Sequence, residues 1–397
     1  MKKENLLRIG LYLLVALGVF LFVRVYCQYD YAYAEQMRLF RYSDVYDQVT
    51  LAAPGGIFTW LADYLTQFYY LPLGGAMVNT VYFLLIVLLI DVALSCLKLS
   101  YIAPFVGVST GLVVLVKETD VTYHTESTLK LILVLAVLAV ILLVMDWLFL
   151  RKKSWWMPKE KMRTWLMVVG FLPALFIGFQ FFKLNHFPQS TRLKVLESMR
   201  WKQDWDGILS LPYMQVCPAP LYACYQNLAL AQKGLLGTKL NDYPQMGEEG
   251  LMAHNHGLQT EMMLLSDIYM MQGNVAEAQM HAFNSVIYSE RLATPTSMLR
   301  LIETNLIMGQ DKVAEKYIAI LEETKFYAEK ANIYRKFLGH PELVQSDPYL
   351  GPLQKITASL QGISGETLVD LNMIVDRNPD YQPAKDYLNA MQTLTLK

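Results

Sequence analysis

Charge, cysteine and histidine are all scarce in this 397-residue chain. Only 17% of it is charged against 54% hydrophobic, and its mean hydropathy is +0.26. Ordinary soluble domains carry roughly 25% charged residues, so the composition points away from one. Thirty-four Lys and Arg against 35 Asp and Glu leave a formal net charge of −1. The basic footprint of a nucleic-acid binder is missing. Four cysteines and six histidines show no ligand spacing: His254 and His256 stand two apart with no acid or cysteine cluster around them. No metal is expected. A phosphate-cradling glycine loop, a dinucleotide-binding glycine fingerprint, G-x-S-x-G and H-E-x-x-H are all lacking, so no cofactor is expected. With 12% aromatics the chain is nevertheless rich enough to bury a core.

What fills the composition is long apolar runs. Five read as membrane spans, about 8–26, 74–97, 99–116, 129–150 and 165–182, each near the length needed to cross roughly 30 Å of hydrocarbon. Lys2, Lys3 and Arg8 precede the first and Arg24 closes it. The cleavage-like Ala32-Tyr33-Ala34 ends 11 residues past Val23, beyond a charge and bulky aromatics, so the run is expected to stay as an anchor. The weakest run is 99–116, with Pro104, Gly107 and Gly111 inside and only Lys98 before it. Orientation argues for keeping it. Arg151–Arg163 holds six basic residues and one acid, Glu160, and short basic loops stay cytoplasmic. Five crossings put that loop and the N-terminus on one side. Residues 27–72, 117–128 and everything after 183 then face the periplasm of a bacterial inner membrane. Asp91 and Asp146 lie near cytoplasmic helix ends, where reaching the interface or pairing with the basic loop is the stronger reading than a proton relay.

The first external loop, 27–72, contains twelve aromatics and five acids. Ile57, Trp60, Leu61, Tyr64, Leu65 and Phe68 recur at helical spacing, which predicts an amphipathic helix over 57–70 after the breaker Ala53-Pro54-Gly55-Gly56. Trp60 and Tyr64 would bind the outer headgroup layer. Asp30 and Glu35 follow just after the first span. This placement resembles the GT-C class of membrane glycosyltransferases, which carry an essential acid in the first external loop and use lipid-phosphate-linked sugars. That resemblance implies Asp30, then Glu35, as catalytic carboxylates, and a lipid-linked sugar as substrate. The competing reading is an interfacial aromatic belt with a solvated acidic face. A second resemblance rests on Ala34-Glu35-Gln36 with Leu39-Phe40, Pro54-Gly55-Gly56, Leu65-Thr66-Gln67-Phe68-Tyr69 and Gly74-Gly75-Ala76. These words are similar to an uncharacterised family of Bacteroidota envelope proteins with a multi-span N-terminal half and a helical-repeat tail. It implies architecture and no activity.

After Lys183 the apolar runs stop, and 185–190 reads as a linker. From 191 to 397 amphipathic helices follow one another. Tyr269-Met270-Met271-Gln272-Gly273 with Ala278 recurs as Asn305-Leu306-Ile307-Met308-Gly309 with Ala314, both offsets being 36. Leu228–Gly234 is an earlier partial copy, and Pro379-Asp380-Tyr381 with Ala384 starts a last helix. This is the tetratricopeptide (TPR) pattern, whose stacked helix pairs expose a groove. Tyr269, Gly273, Asn305 and Gly309 are the expected binding positions there. Cys217 and Cys224, seven apart around Pro218 and Pro220, are either a periplasmic disulfide or two buried thiols.

The expectation is an all-α protein: a bundle of about five transmembrane helices over 1–183, then a TPR-like periplasmic domain over 191–397. It would act as a non-enzymatic scaffold whose partners are the lipid bilayer and an envelope protein at the repeat groove. The alternative is a reduced GT-C-like transferase or an inactive relative. Nothing points to nucleic acid.

Overall fold

The computed structural model describes the chain apart from residues 1, 121–122, 151–158, 186–187, 217–218, 255–256, 290, 292, 361 and 396–397. Among the described residues every regular element is helical. The chain divides into two compact units: unit 1 is 1–35 with 44–194, and unit 2 is 36–43 with 195–397.

In unit 1, α1 (Lys2–Tyr26) leads almost without a break into α2 (Gln28–Gln36); α3 (Asp44–Ala52) and α4 (Gly56–Thr66) form a short hairpin. Four longer helices follow: α5 (Gly74–Cys96), α6 (Ala103–Lys117), α7 (Thr125–Met145, continued by a wider turn to Leu150) and α8 (Glu160–Asn185). Of the described helices three, not five, are long and apolar enough to cross a bilayer unaided: Leu6–Tyr26, Gly74–Cys96 and Thr125–Leu148. The 99–116 run falls short because its first residues are spent on a turn. Lys98 adopts a left-handed conformation (φ 61°), Leu99 N–H folds back to the Leu94 carbonyl, and α6 starts only at Ala103 with Pro104 in its first turn. Fifteen helical residues cover only about 22 Å. The 165–182 run lies within α8, interrupted by Pro173, and several of its side chains fall outside the described residues.

Contacts fix the directions of these helices. Tyr12 of α1 reaches Asp91 near the end of α5, while Tyr31 of α2 lies against Gly75 at its start, so α1 and α5 are antiparallel. Gly107 faces Val87 and Gly111 faces Phe83, so α6 runs back along α5. Gly170 meets Phe105 and Gly178 meets Leu112, which sets α8 parallel to α6. Leu129 packs with Tyr82, and Lys98 pairs with Asp146, which sets α7 parallel to α5. The five helices therefore alternate, α1, α6 and α8 one way and α5 and α7 the other. We call the end where α1 finishes and α5 begins the upper end.

The glycines that weaken the 99–116 hydropathy are what seat α6. A Cβ on Gly111 would stand 2.6 Å from the Phe83 ring, and one on Gly107 would stand 3.3 Å from Val87 backbone. Gly107-x-x-x-Gly111 is the small-residue spacing that lets membrane helices approach closely. Among the described side chains of α1 the stripe Tyr12, Ala16, Val19, Val23 is buried, and its other faces carry exposed Leu13, Leu14, Leu17 and Leu21. Such a helix is packed on one face and needs an apolar surround on the rest. The two acids within the long apolar helices are paired: Asp91 with Arg8 at 3.1 Å and with Tyr12, and Asp146 with Lys98 at 3.2 Å. Their partners come from α1 and the α5 turn rather than from Arg151–Arg163, of which 151–158 lie outside the described residues.

Unit 2 is built from α9 (Pro188–Trp201), whose second half lies in it, then α10 (Trp205–Ser210), α11 (Pro220–Gln232), α12 (Leu236–Lys239), α13 (Gln259–Gln272), α14 (Val275–Tyr288), α15 (Pro295–Ile307) and α16 (Asp311–Glu322). It ends with α17 (Ala328–Arg335), α18 (Pro341–Ser346), α19 (Leu350–Ser359), α20 (Thr367–Arg377) and α21 (Gln382–Thr395). The repeat signature marks real helix stops. At Gly273 (φ 84°) the N–H groups of 273 and 274 return to the carbonyls of Met270 and Tyr269. Gly309 (φ 70°) does the same with Leu306 and Asn305, and Gly234 (φ 66°) with Ala231 and Leu230. Glycine adopts this left-handed stop without steric cost. Ala278 and Ala314 are fully buried where α13 meets α14 and α15 meets α16. After Gly234 the pattern shortens, since α12 has only four residues.

Residues 36–43 belong to unit 2. Gln36 Nε2 donates to the Tyr327 hydroxyl at 2.7 Å, Tyr42 N–H donates to the Glu323 carbonyl at 2.7 Å, and Arg41 pairs with Glu323.

Candidate functional site

Asp30 lies one turn beyond α1 because the chain hardly breaks at Cys27: Cys27 N–H still bonds Val23, and Tyr31 N–H bonds Cys27. That rotation turns Asp30 inward, 3% exposed. Lys194 of α9, equally enclosed, donates from Nζ to Asp30 Oδ1 at 2.6 Å and to the Thr119 carbonyl at 2.6 Å. Next to Thr119, Glu118 is buried and accepts from the hydroxyls of Thr125 and Thr128, which close the α6–α7 turn. Tyr31 packs edge-on against Tyr69 (centroids 5.1 Å), and burial holds its phenol well above its ordinary pKa. Asn79 Nδ2 spans the Tyr69 hydroxyl and the Gly75 carbonyl. Glu35 is also buried, in the last turn of α2. The predicted acids thus sit inside the upper end of unit 1. The base brought to Asp30 is Lys194, 164 residues away, where sequence reasoning had no means of finding it.

Two further acids of the 27–72 loop close the α3–α4 hairpin. Trp60 Nε1 donates to Asp47 at 2.6 Å and Tyr46 donates to Asp63 at 2.8 Å. Trp60 and Tyr64, the expected interfacial residues, stack in parallel with centroids 5.5 Å apart. The opposite face of α4 packs through Phe58, Ala62 and Leu65 on Tyr82 of α5 and Leu129 of α7.

In unit 2 two of the four expected groove residues, Tyr269 and Gly273, are covered by the chain's own C-terminal helices. Tyr269 stacks on His281 and its hydroxyl pairs with Thr367 of α20 at 2.9 Å. Gly273 lies under Ile356 of α19 and Tyr381, whose hydroxyl donates to the Met271 carbonyl. Asn305 is buried and spends Nδ2 on the Leu301 carbonyl, whereas nothing crowds Gly309. α19 packs on α15 and α21 packs on α13, so the face formed by the first helix of each repeat is covered. Around this cover Asp370 of α20 accepts from the N–H groups of Ser364 and Gly365. Burial, with Asp370 nearby, raises the Glu277 carboxyl, and burial lowers His281 to about 4. The Cys224 thiol donates to the Glu249 carbonyl; Cys217 lies outside the described residues.

A charge network in unit 2 was not legible beforehand. Arg200 is bidentate on Glu197 and bonds Asp267; Asp267 takes Arg300 at 2.6 Å; Arg300 reaches Glu303 at 3.0 Å and the Tyr349 hydroxyl at 2.7 Å. Tyr225 donates to Glu197 and Tyr334 to Glu303. Burial works against the Arg200 charge, yet Glu197 and Asp267 hold its pKa above the ordinary value. Every member is bonded to another, so the network is built to hold α9, α13 and α15 in register. Among the described residues no group of three or more His, Cys, Asp or Glu is placed to hold a metal ion.

Comparison with known proteins adds a family. No curated protein and no solved structure matches the chain. A family of unknown function (DUF6057) matches residues 4–179 and again 139–396, the two matches overlapping on 139–179. Together they run through both units, and the chain belongs to that family.

Proposed function

We propose that the protein is a membrane-embedded helical scaffold that carries unit 2 on the face opposite its N-terminus. The observation that carries this reading is the engagement of Asp30. A catalytic base has to be accessible to the proton it takes, and this carboxylate is buried and already holds the Lys194 ammonium. That engagement supports a structural role for Asp30 over a catalytic one.

Sidedness rests on the alternation of the bundle. α6 and α8 would pass through the same layer as α1, α5 and α7, α6 being carried by its packing on α5 and α8 rather than by its own length. Arg8, Lys98, Lys161 and Arg163 gather at the lower end, which is the cytoplasmic side by the positive-inside rule. The compartment is the periplasm of a bacterial inner membrane. A partner of this scaffold would meet α14, which exposes Met280, Phe283, Ile287 and Tyr288 on one stripe, because the repeat groove is occupied.

The test is a phosphatase reporter after Lys397, which should be active only outside the cytosol. Activity confined to the cell interior would end the sidedness assignment. For the enzyme question, Asp30→Asn with Lys194→Met keeps the site neutral, and unchanged surface glycans are expected. A defect rescued only by restoring the carboxylate would revive the transferase.

A further inference from the structure

We infer that the α3–α4 hairpin is a bilayer-inserting wedge, its apolar tip sitting at the boundary of headgroups and acyl chains at the upper end of the bundle. The inference rests on the membrane reading above and deepens it. Four observations converge.

The hairpin has an outer surface that no part of unit 1 covers. α3 buries none of its residues; Val45 and Val49 stand 66% and 71% exposed, Leu51 and Ile57 are exposed, and so is the tip Ala52-Ala53-Pro54-Gly55. The stretch is also free of charge. From Gln48 to Ala62 there is no Asp, Glu, Lys, Arg or His. A solvated loop between two helices would be expected to carry charge, and a protein-binding tip usually carries a polar rim.

Two of the hairpin's three acids are consumed in closing it, and the third, Asp44, stands exposed at the start of α3, away from the tip. Asp47 is taken by Trp60 and Asp63 by Tyr46. These two carboxylates are thereby held on the inner side by hydrogen bonds, off the apolar tip. The stacked Trp60 and Tyr64 rings are the kind of amphipathic groups that favour headgroup depth.

Depth is set by the packing. α4 lies against Val78 and Tyr82, one to two turns into α5, and against Leu129 and Ile132 at the start of α7. Both helices are apolar enough to span, and their neighbouring residues Met77, Val81 and Leu133 face outward. The hairpin tip therefore continues the belt that the spans themselves present. A bilayer is the occupant that covers both without a break.

The absence of cationic residues on the tip distinguishes this wedge from a basic amphipathic anchor. Its lipid contact depends on apolar area, not on anionic headgroups.

The full chain, reconstituted in phosphatidylcholine vesicles, carries a bimane fluorophore on Val49→Cys, Val134→Cys or Glu315→Cys; the unsubstituted chain gives the background from its native cysteines. Val134 is an exposed residue in the middle of α7 and Glu315 an exposed residue of unit 2. Lipids with a nitroxide at acyl carbon 5 should quench Val49→Cys at least twofold, more than lipids labelled at carbon 12. Val134→Cys should show the reverse order, and Glu315→Cys should be unaffected. Adding anionic lipid or 1 M salt should leave the Val49→Cys quenching unchanged. Quenching at Val134 with none at Val49 overturns the wedge alone, the tip then being covered by protein. Quenching at Val49 that requires anionic lipid also overturns it. Loss of quenching at both positions removes the membrane reading with it.

Discussion

The two units bury charge in opposite styles. Unit 1 uses separate, nearly one-to-one pairs: Arg8 with Asp91, Lys98 with Asp146, Lys194 with Asp30. Unit 2 joins Glu197, Arg200, Asp267, Arg300 and Glu303 into a chain with three tyrosines around it. Helices as apolar as those of unit 1 leave isolated pairs few polar neighbours. In unit 2 a branched network shares each charge among several partners, so its members depend on one another. The difference predicts that single substitutions will be felt across several helices in unit 2 and locally in unit 1.

The sharpest way to break that contrast is Arg200→Met. It leaves Glu197 and Asp267 without their shared cation, and loss of one partner from a buried pair costs about 3–5 kcal/mol. Thermal unfolding of the purified chain should show the unit 2 transition moved down by many degrees. An unchanged transition would mean the network is not the fastening it resembles here. Gly111→Leu tests unit 1 instead. The new side chain collides with Phe83, and overpacking of this kind costs about 1–3 kcal/mol. The expected result is a lower yield of folded protein in detergent, with unit 2 melting as before.

His281 offers a pH test confined to unit 2. Its folded pKa is depressed to about 4 by burial, below its ordinary 6.5. Above pH 6.5 both states are neutral there and the residue adds no pH dependence. As pH falls from 6.5 towards 4 the unfolded chain takes up a proton that the folded imidazole refuses, so stability declines through that window. Glu277, whose carboxyl is raised by burial and by Asp370, acts in the opposite sense at the acid end. His281→Gln should flatten the decline by about 1–2 kcal/mol, the full shift being reduced by partial solvent access. Equal slopes in the two proteins would refute the assignment.

Smaller effects separate the two repeat glycines. Gly273→Ala and Gly309→Ala both force a left-handed alanine, worth about 1–2 kcal/mol. Gly273→Ala should cost more, because its methyl also meets Ile356 and Tyr381 at 3.2 Å while nothing stands near Gly309. Smallest of all is Arg335→Ala. Its pairs with Glu322 and Glu315 are exposed, and a loss below about 1 kcal/mol is expected in urea melts.

Local signals were legible beforehand. The runs that became α1, α5 and α7 announce themselves by apolarity over twenty residues, and the stops at Gly273 and Gly309 by a repeated glycine after a helical pattern. The 99–116 run misled because hydropathy does not register the turn at Lys98 or the late start at Ala103. Long-range partners were out of reach. Asp30 and Lys194 are 164 residues apart, and Arg200 and Asp267 are 67 apart. The repeat signature likewise describes how neighbouring pairs stack and is silent on helices such as α19 and α21 that return to cover the stack.

The assignment of residues 36–43 to unit 2 has a kinetic corollary. Gln36 is synthesised 291 residues ahead of Tyr327, its hydrogen-bond partner. At ribosomal speeds of about 5–20 residues per second, this strap waits roughly 15–60 s for the surface it docks on. A fragment cut at Val195 never receives the strap at all. It would leave the 323–327 corner bare, so unit 2 is completed only by a segment that the chain makes near its start, before most of unit 1.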